Sequence, residues 1–251
     1  SPMGMDQAQI AREMARGNGS HTKIVRPYTW RLYLANPVAD TPPSQQADIL
    51  NPPLQSVLMA PVFKLLGSRM DVDSGTSRVY LPDRVVACIS FFFFIGALAV
   101  SHMTVKKLFD ERIAAAMALG MMLCQLLWDV TRSGLPQMLL LFLFALAMHL
   151  LCVGLEKASR DENALLPAFG IGLLSAAMVM THWMAVWLLL GIALVVGLFF
   201  TRKGVSATLV CLPPVAALTV WALRTHAVCG DYLGAAKGLT QSLLHPGVPS
   251  L

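Results

Sequence analysis

The sequence predicts an all-α, polytopic helical membrane protein, on three observations. Only 13% of the 251 residues are charged, against about 25% in an ordinary soluble domain. The mean hydropathy is +0.62. Asp, Glu, Lys and Arg are absent from five long runs: Val85–Val105 (21 residues), Ile113–Trp128 (16), Ser133–Leu155 (23), Asn163–Thr201 (39) and Gly204–Leu223 (20). A helix that crosses a bilayer needs about 20 apolar residues. These features exclude a soluble enzyme, a disordered chain and a secreted disulfide scaffold. Four of the five cysteines (Cys88, Cys124, Cys152 and Cys211) lie inside the apolar runs as small packing residues; only Cys229 lies outside them.

Residues 1–83 read as an external, loop-containing region. Within it, residues 3–16 form an amphipathic helix, with Asp6, Gln9, Glu13 and Arg16 on one face and Met3, Ile10 and Met14 on another. Gly17 and Gly19 end it. Five prolines between residues 36 and 53 make a loop. Leu54, Val57, Leu58, Val62, Leu65 and Leu66 then form a helical stripe. Thirteen residues at about 1.5 Å each give roughly 20 Å, too short for a bilayer core of about 30 Å. An in-plane interfacial helix is therefore expected.

Residues 84–225 read as six spans, at roughly 84–104, 113–130, 134–154, 164–181, 184–200 and 205–223. The 39-residue run would be twice the bilayer as one helix, so it turns at Thr181-His182-Trp183. Residues 226–251 begin a further external loop. One set of span ends carries Lys106, Lys107, Arg112, Lys157, Arg160, Arg202 and Lys203, whereas the other short ends carry only Arg132 and Arg224. The positive-inside rule assigns the first set to the cytoplasm. The net charge of +5 follows from this arrangement and gives no reason to expect a nucleic-acid partner.

Polar residues that could carry chemistry lie on the outward side. Asp6 is the acid of the first helix. Asp129 and Arg132, three residues apart, are spaced for an ion pair on one helix face. His182 is the single titratable group of the long apolar hairpin. His21, Lys23 and Arg26 form a basic cluster suited to phosphate. No P-loop, HExxH or GxSxG motif is present.

The stretch Met5-Asp6-Gln7-Ala8-Gln9-Ile10-Ala11-Arg12-Glu13-Met14 resembles the first external loop of GT-C glycosyltransferases, the protein mannosyltransferase and lipid A aminoarabinose transferase type. Asn51-Pro52-Pro53-Leu54, followed by Lys64-Leu65-Leu66-Gly67, is similar to that family's PPL…KLFG segment. Thr131-Arg132-Ser133-Gly134-Leu135-Pro136 resembles its second external loop, and Thr181-His182-Trp183 sits where the family has a basic turn. The sequence departs from the family pattern at Gln7, Asn51 and Gln137.

The resemblance implies a GT-C-type fold and transfer of a sugar from a polyprenyl-phosphate lipid to an acceptor lipid, glycan or protein. The site would face the periplasm or outside, in a bacterial inner membrane. Asp6 is then the essential catalytic carboxylate, while Arg132 and His182 bind the donor phosphate. Glu13, Lys23, Arg26, Asn51 and Asp129 form a second tier of candidates. A divalent metal ion is left open as a cofactor, with no ligands assigned. The partners are the lipid-linked donor, the acceptor and membrane lipids. The resemblance also implies a span before Asp6 and further spans after Leu251, so the 251 residues are expected to be an inactive fragment when isolated. A transporter or flippase half and a non-catalytic membrane scaffold are the alternatives.

Overall fold

The computed structural model describes residues 2–24, 46–67 and 81–232. Nine helices and one two-stranded ladder occur among them. Helix α1 is Pro2–Ala15, β1 His21–Thr22, β2 Gln46–Ala47 and α2 Leu54–Leu66. The remaining helices are α3 (Leu81–Leu108), α4 (Glu111–Leu123), α5 (Gln125–Ser133), α6 (Gln137–Ser159), α7 (Leu165–Val179), α8 (Ala185–Phe199) and α9 (Lys203–Cys229).

Three helices, α3, α6 and α9, are long and apolar enough to cross a membrane, as expected of a membrane protein. The six-span expectation is corrected in two places. Residues 113–130 do not form one helix. Cys124 adopts extended backbone, and α4 and α5 meet at 57°. The Trp128 indole N–H donates to the Met122 carbonyl at 2.7 Å across the break. The same ring packs against Phe91 and Phe94 of α3. Counting the bent pair as one span gives up to four. Helices α7 and α8 have 15 residues each, about 22 Å and short of a full apolar core. The turn between them does fall where the sequence placed it: the Thr181 hydroxyl donates to Ala177 O at 2.8 Å and His182 N to Met178 O at 2.9 Å.

The bundle packs through small residues. Helix α7 lies between α6 and α9, with Ala168, Ile171, Met178 and Val179 in the main core alongside Leu143, Ala147 and Leu151 of α6 and Val210 of α9. A Cβ at Gly172 would stand 2.2 Å from the Leu209 carbonyl oxygen, so only hydrogen fits at the α7–α9 crossing. Gly154 of α6 likewise takes the Phe200 ring, where a Cβ would come within 2.2 Å. Apolar surfaces in lipid gain little from mutual burial, so close backbone approach of this kind supplies much of the association. Large residues including Phe92, Leu119, Leu126, Trp187, Leu194 and Leu198 stand exposed on the outside of the bundle. That surface suits lipid and would be a liability in water.

The basic short loops lie together at one end of the bundle, where acidic residues accompany them. At one end Lys106 pairs with Glu111, and Lys107 and Arg160 both pair with Glu156. The Thr201 hydroxyl donates to Glu162 O at 3.3 Å and brings the α8–α9 turn to this end. The opposite end gathers α1, α2, the start of α3, the loop after α5, the α7–α8 turn and the last turns of α9.

Helix α2 does not cross the bundle. Its buried face is Gln55, Ser56, Met59 and Phe63, packed with Ala11 of α1 and Val86 of α3. Part of its apolar stripe faces away from the protein, with Leu65 88% exposed and Val57 and Leu58 also open, while Leu54 and Leu66 pack against the cores. Lys64 is exposed beside them, where its long stem can carry the charge toward headgroups.

Substitution of Gly172 by Ala is expected to destabilise the bundle by about 1–3 kcal/mol, the usual cost of overpacking. Gly191→Ala, where an added Cβ meets nothing within 4 Å, is the matched control. Thermal unfolding in detergent checks the pair, and equal midpoints would refute the close α7–α9 crossing.

Candidate functional site

Helix α1 begins against the loop that follows α5. A Cβ at Gly4 would sit 2.2 Å from Ser133 O, and Gly134 turns there with φ of 71°. The helix ends at Gly17, φ 87°, where Gly17 N and Asn18 N bond back to Met14 O and Glu13 O. This left-handed ending turns the chain into β1, which pairs antiparallel with β2: His21 faces Ala47 and Thr22 faces Gln46.

The expected amphipathic division of α1 is altered by this packing. Asp6, Gln7 and Glu13 are buried with Ile10 and Ala11, Asp6 at 2% exposure. Buried carboxylates are retained only where hydrogen bonds or ion pairs replace water. The Thr22 hydroxyl donates to Asp6 Oδ1 at 3.1 Å, and the Asn51 amide donates to Asp6 Oδ2 at 2.8 Å. Asn51 thus directly orients the Asp6 carboxylate.

Asn51 is itself held in place. The Asp48 carboxylate accepts from Leu50 N at 3.2 Å and Asn51 N at 3.3 Å, an Asx-type turn. Asp48 N donates to Ser20 O at 2.9 Å, and the Arg224 guanidinium donates to Asp48 O at 2.8 Å. Arg224 also lies over the Trp221 ring, 4.7 Å from its centroid. Trp183 packs against Trp221 at 6.2 Å and donates its indole N–H to Leu50 O at 3.1 Å. Leu54 N bonds to Met180 O at 3.0 Å, and the Ser56 hydroxyl to Gln7 O at 3.2 Å. Residues 48–56 are thereby fastened across the ends of α7, α8 and α9 and onto α1.

The other candidates are placed less directly. Glu13 is 4% exposed and ion-paired to Lys23 at 2.9 Å and Arg16 at 3.4 Å, with Asn18 donating to it at 2.8 Å. Burial pushes its carboxyl up, but the hydrogen bonds from Asn18 and Lys23 and the charges of Lys23 and Arg16 outweigh that and hold it below its ordinary value. Glu13 and Lys23 therefore clamp the end of α1 to β1. Arg132 and Asp129 are both exposed. The ion pair expected between them is not formed, and neither residue has another ion pair among the described residues. Arg132 immediately precedes the loop that receives Gly4. His182 is half-buried, and its Nδ1 accepts from Met184 N at 3.2 Å, which leaves Nε2 as the nitrogen that can face a ligand. Neither Arg132 nor His182 is hydrogen-bonded to Asp6. Arg26 lies outside the described residues.

Thr22 and Asn51 meet Asp6 as neutral donors, a hydroxyl and an amide. A divalent cation is instead caged by several oxygen acceptors. Among the described residues no group of three His, Cys, Asp or Glu side chains gathers to hold one.

Thr22, Asp48, Trp183, Trp221 and Arg224 were missed as members of this site. Asp48 three residues before Asn51-Pro52-Pro53 is a recognisable turn signal, but nothing local joins it to Arg224. Comparison of the chain with protein-family models finds no matching family, and no curated protein or solved structure matches it.

The lowered Glu13 pKa has a stability consequence. A carboxyl that ionises more readily folded than unfolded stabilises fully above its unfolded value, near 4.5, and this contribution is lost as pH falls through the lower folded value. Glu13→Gln should flatten that acid-limb loss and lower stability at neutral pH. Hydrogen exchange of the α1 amides as a function of pH measures it, and identical acid limbs in the two proteins would refute the clamp.

Proposed function

We propose that this chain acts as a GT-C-type glycosyltransferase, with Asp6 as its catalytic carboxylate. The donor is a polyprenyl-phosphate sugar, and the acceptor hydroxyl approaches from the non-cytoplasmic side. The observation that carries the reading is Asp6 itself: a buried carboxylate oriented by Thr22 and Asn51, at the end of the bundle opposite the basic loops. Glycosyl transfer needs a carboxylate fixed in orientation to take the acceptor's proton as the new bond forms. Negative charge grows on the departing lipid phosphate at the same time, and cationic donors stabilise it. Arg132, exposed and without an ion pair among the described residues, and His182, with Nε2 available, are the groups assigned to that task.

A transporter reading draws support from one feature, the 57° break between α4 and α5, since broken helices mark many transport sites. The charged groups on this bundle, however, concentrate at its two ends, while transporter sites lie near the midplane.

In the full-length protein, Asp6→Asn should lower transfer by about 10²–10⁴-fold, the usual contribution of one general base, with membrane insertion intact. Arg132→Ala should raise KM for the lipid donor, because a neutral methyl cannot replace the guanidinium fork. Radiolabelled sugar transfer in membranes reads both. Full transfer by the Asp6 variant would remove the catalytic assignment, and solute flux abolished by the same variant would favour transport.

Orientation is tested separately, with single cysteines at Asn18 and Phe109 in a cysteine-free background. Both positions are exposed, and a membrane-impermeant thiol reagent should label Asn18→Cys from outside and Phe109→Cys only after permeabilisation. Labelling of both from the same side would sink the topology.

A further inference from the structure

Asp6 is 2% exposed, so a substrate reaches its carboxylate only if a neighbouring segment moves. Among the described residues three segments meet there, and they are held very unequally. Helix α1 carries Asp6 and is packed in: Ala11 joins Met59, Phe63 and Val86 in one apolar cluster. The segment 48–56 brings Asn51 and is tied to the bundle and to α1 by bonds involving Leu54 N, Trp183, Arg224 and Ser56.

Residues 18–24, which bring Thr22, are held differently. None of them belongs to either apolar cluster of the described residues. Asn18, Gly19, Lys23 and Ile24 are exposed. The contacts that hold the segment are polar. They are a ladder of two residue pairs with β2, the bond from Asp48 N to Ser20 O at 2.9 Å, the Lys23–Glu13 ion pair at 2.9 Å, the Asn18–Glu13 bond at 2.8 Å and the Thr22–Asp6 bond at 3.1 Å. Water competes for each of these, and a segment with few buried apolar contacts opens readily. Arg16 stays on Glu13, at 3.4 Å, so releasing Lys23 does not strand that carboxylate. The segment also follows a pair of glycines in left-handed backbone, Gly17 (φ 87°) and Gly19 (φ 75°). Glycine takes positive and negative φ about equally readily, which makes residues 17–19 a hinge.

We propose that residues 18–24 form a lid over Asp6, hinged at Gly17–Gly19 and latched by Lys23 on Glu13, which swings aside to admit the acceptor. The structure shows the closed state. In it the Thr22 hydroxyl holds the place on Asp6 Oδ1 that an acceptor hydroxyl would take, because both present an O–H to a carboxylate oxygen. On opening, Oδ1 exchanges Thr22 for the acceptor or for water, while Asn51 stays on Oδ2. The carboxylate therefore keeps donors throughout, and its orientation is kept by the anchored side. The gating role rests on the reading of Asp6 as the catalytic carboxylate, whereas the lid itself does not.

The test locks the lid. His21 faces Ala47 across the ladder. Directly opposed residues of an antiparallel pair have Cα atoms about 4.5–5.5 Å apart, within the span of a disulfide. His21→Cys with Ala47→Cys, in the full-length protein on a cysteine-free background, is compared oxidised and reduced. A water-soluble carbodiimide with glycine ethyl ester labels accessible carboxylates, and peptide mass spectrometry reads Asp6. Asp6 should label in the reduced protein and lose that labelling in the oxidised one. Lys23→Met should raise labelling, and an unchanged rate would overturn the latch. Equal labelling of the two redox forms would overturn the lid.

Hydrogen exchange of the unsubstituted protein gives a second readout. The Asp48 amide, bonded to Ser20 O of the lid, should exchange faster than the Leu54 amide, bonded to Met180 O of the bundle. Equal or slower exchange at Asp48 would overturn the lid as well. Sugar transfer separates the two claims. Transfer lost on oxidation and restored by reduction supports gating. Asp6 labelling that follows the lock while transfer ignores it would keep the lid and remove Asp6 from catalysis.

Discussion

A carboxylate that leaves water has to find donors, and the burial of Asp6 depends on two segments that reach it from elsewhere in the chain. Thr22 arrives on β1 and Asn51 on the segment after β2, from 16 and 45 residues away. Removing one partner from a buried carboxylate would leave part of its desolvation uncompensated, a larger penalty than a hydrogen bond's modest net contribution. The rest of the surface layer can be traced from this requirement. Asn51 must be aimed, so Asp48 folds the turn that presents it. That turn must be anchored, so Arg224, Trp183 and the Met180 carbonyl hold it to the ends of α9, α8 and α7.

The membrane bundle and the surface layer use different physics. Inside the bundle, apolar side chains face either one another or the lipid, and glycines set how closely helices approach, as at Gly172 and Gly154. At the end bearing α1, directional contacts take over: indole N–H groups, a guanidinium over an indole ring, and hydrogen bonds to loop carbonyls. Such a layer is rigid where it touches Asp6. A carboxylate held in orientation by Thr22 and Asn51 is what the proposed glycosyl transfer would require.

Much of the site was legible in residue order, though unevenly. Asp6 stood out as an acid in the first turns of an amphipathic helix, and the turn at Thr181-His182-Trp183 followed from run length alone. The segregation of basic residues onto one set of ends was also readable, and the ion pairs of Glu111 and Glu156 occur at that end. By contrast, the 113–130 run contained no proline to announce the bend at Cys124. The bend is accompanied by Trp128 bonding across the break and packing on Phe91 and Phe94, contacts that depend on where α3 lies. The Asp129–Arg132 pair satisfied helical spacing, yet both side chains face outward unpaired, because spacing permits a contact and solvent competes for it.

The sequence by itself determined that the chain is helical and apolar, roughly where most helices lie, and which short loops carry the basic residues. Those properties are one-dimensional: bilayer thickness, helical rise and charge count act on contiguous residues. Only the tertiary structure decided which polar residues meet. Arg224 reaches the Asp48 carbonyl across 176 positions, and Asn51 reaches the Asp6 carboxylate across 45. No local pattern encodes those encounters, because they exist only once the helices have packed and their ends have been brought to a common surface.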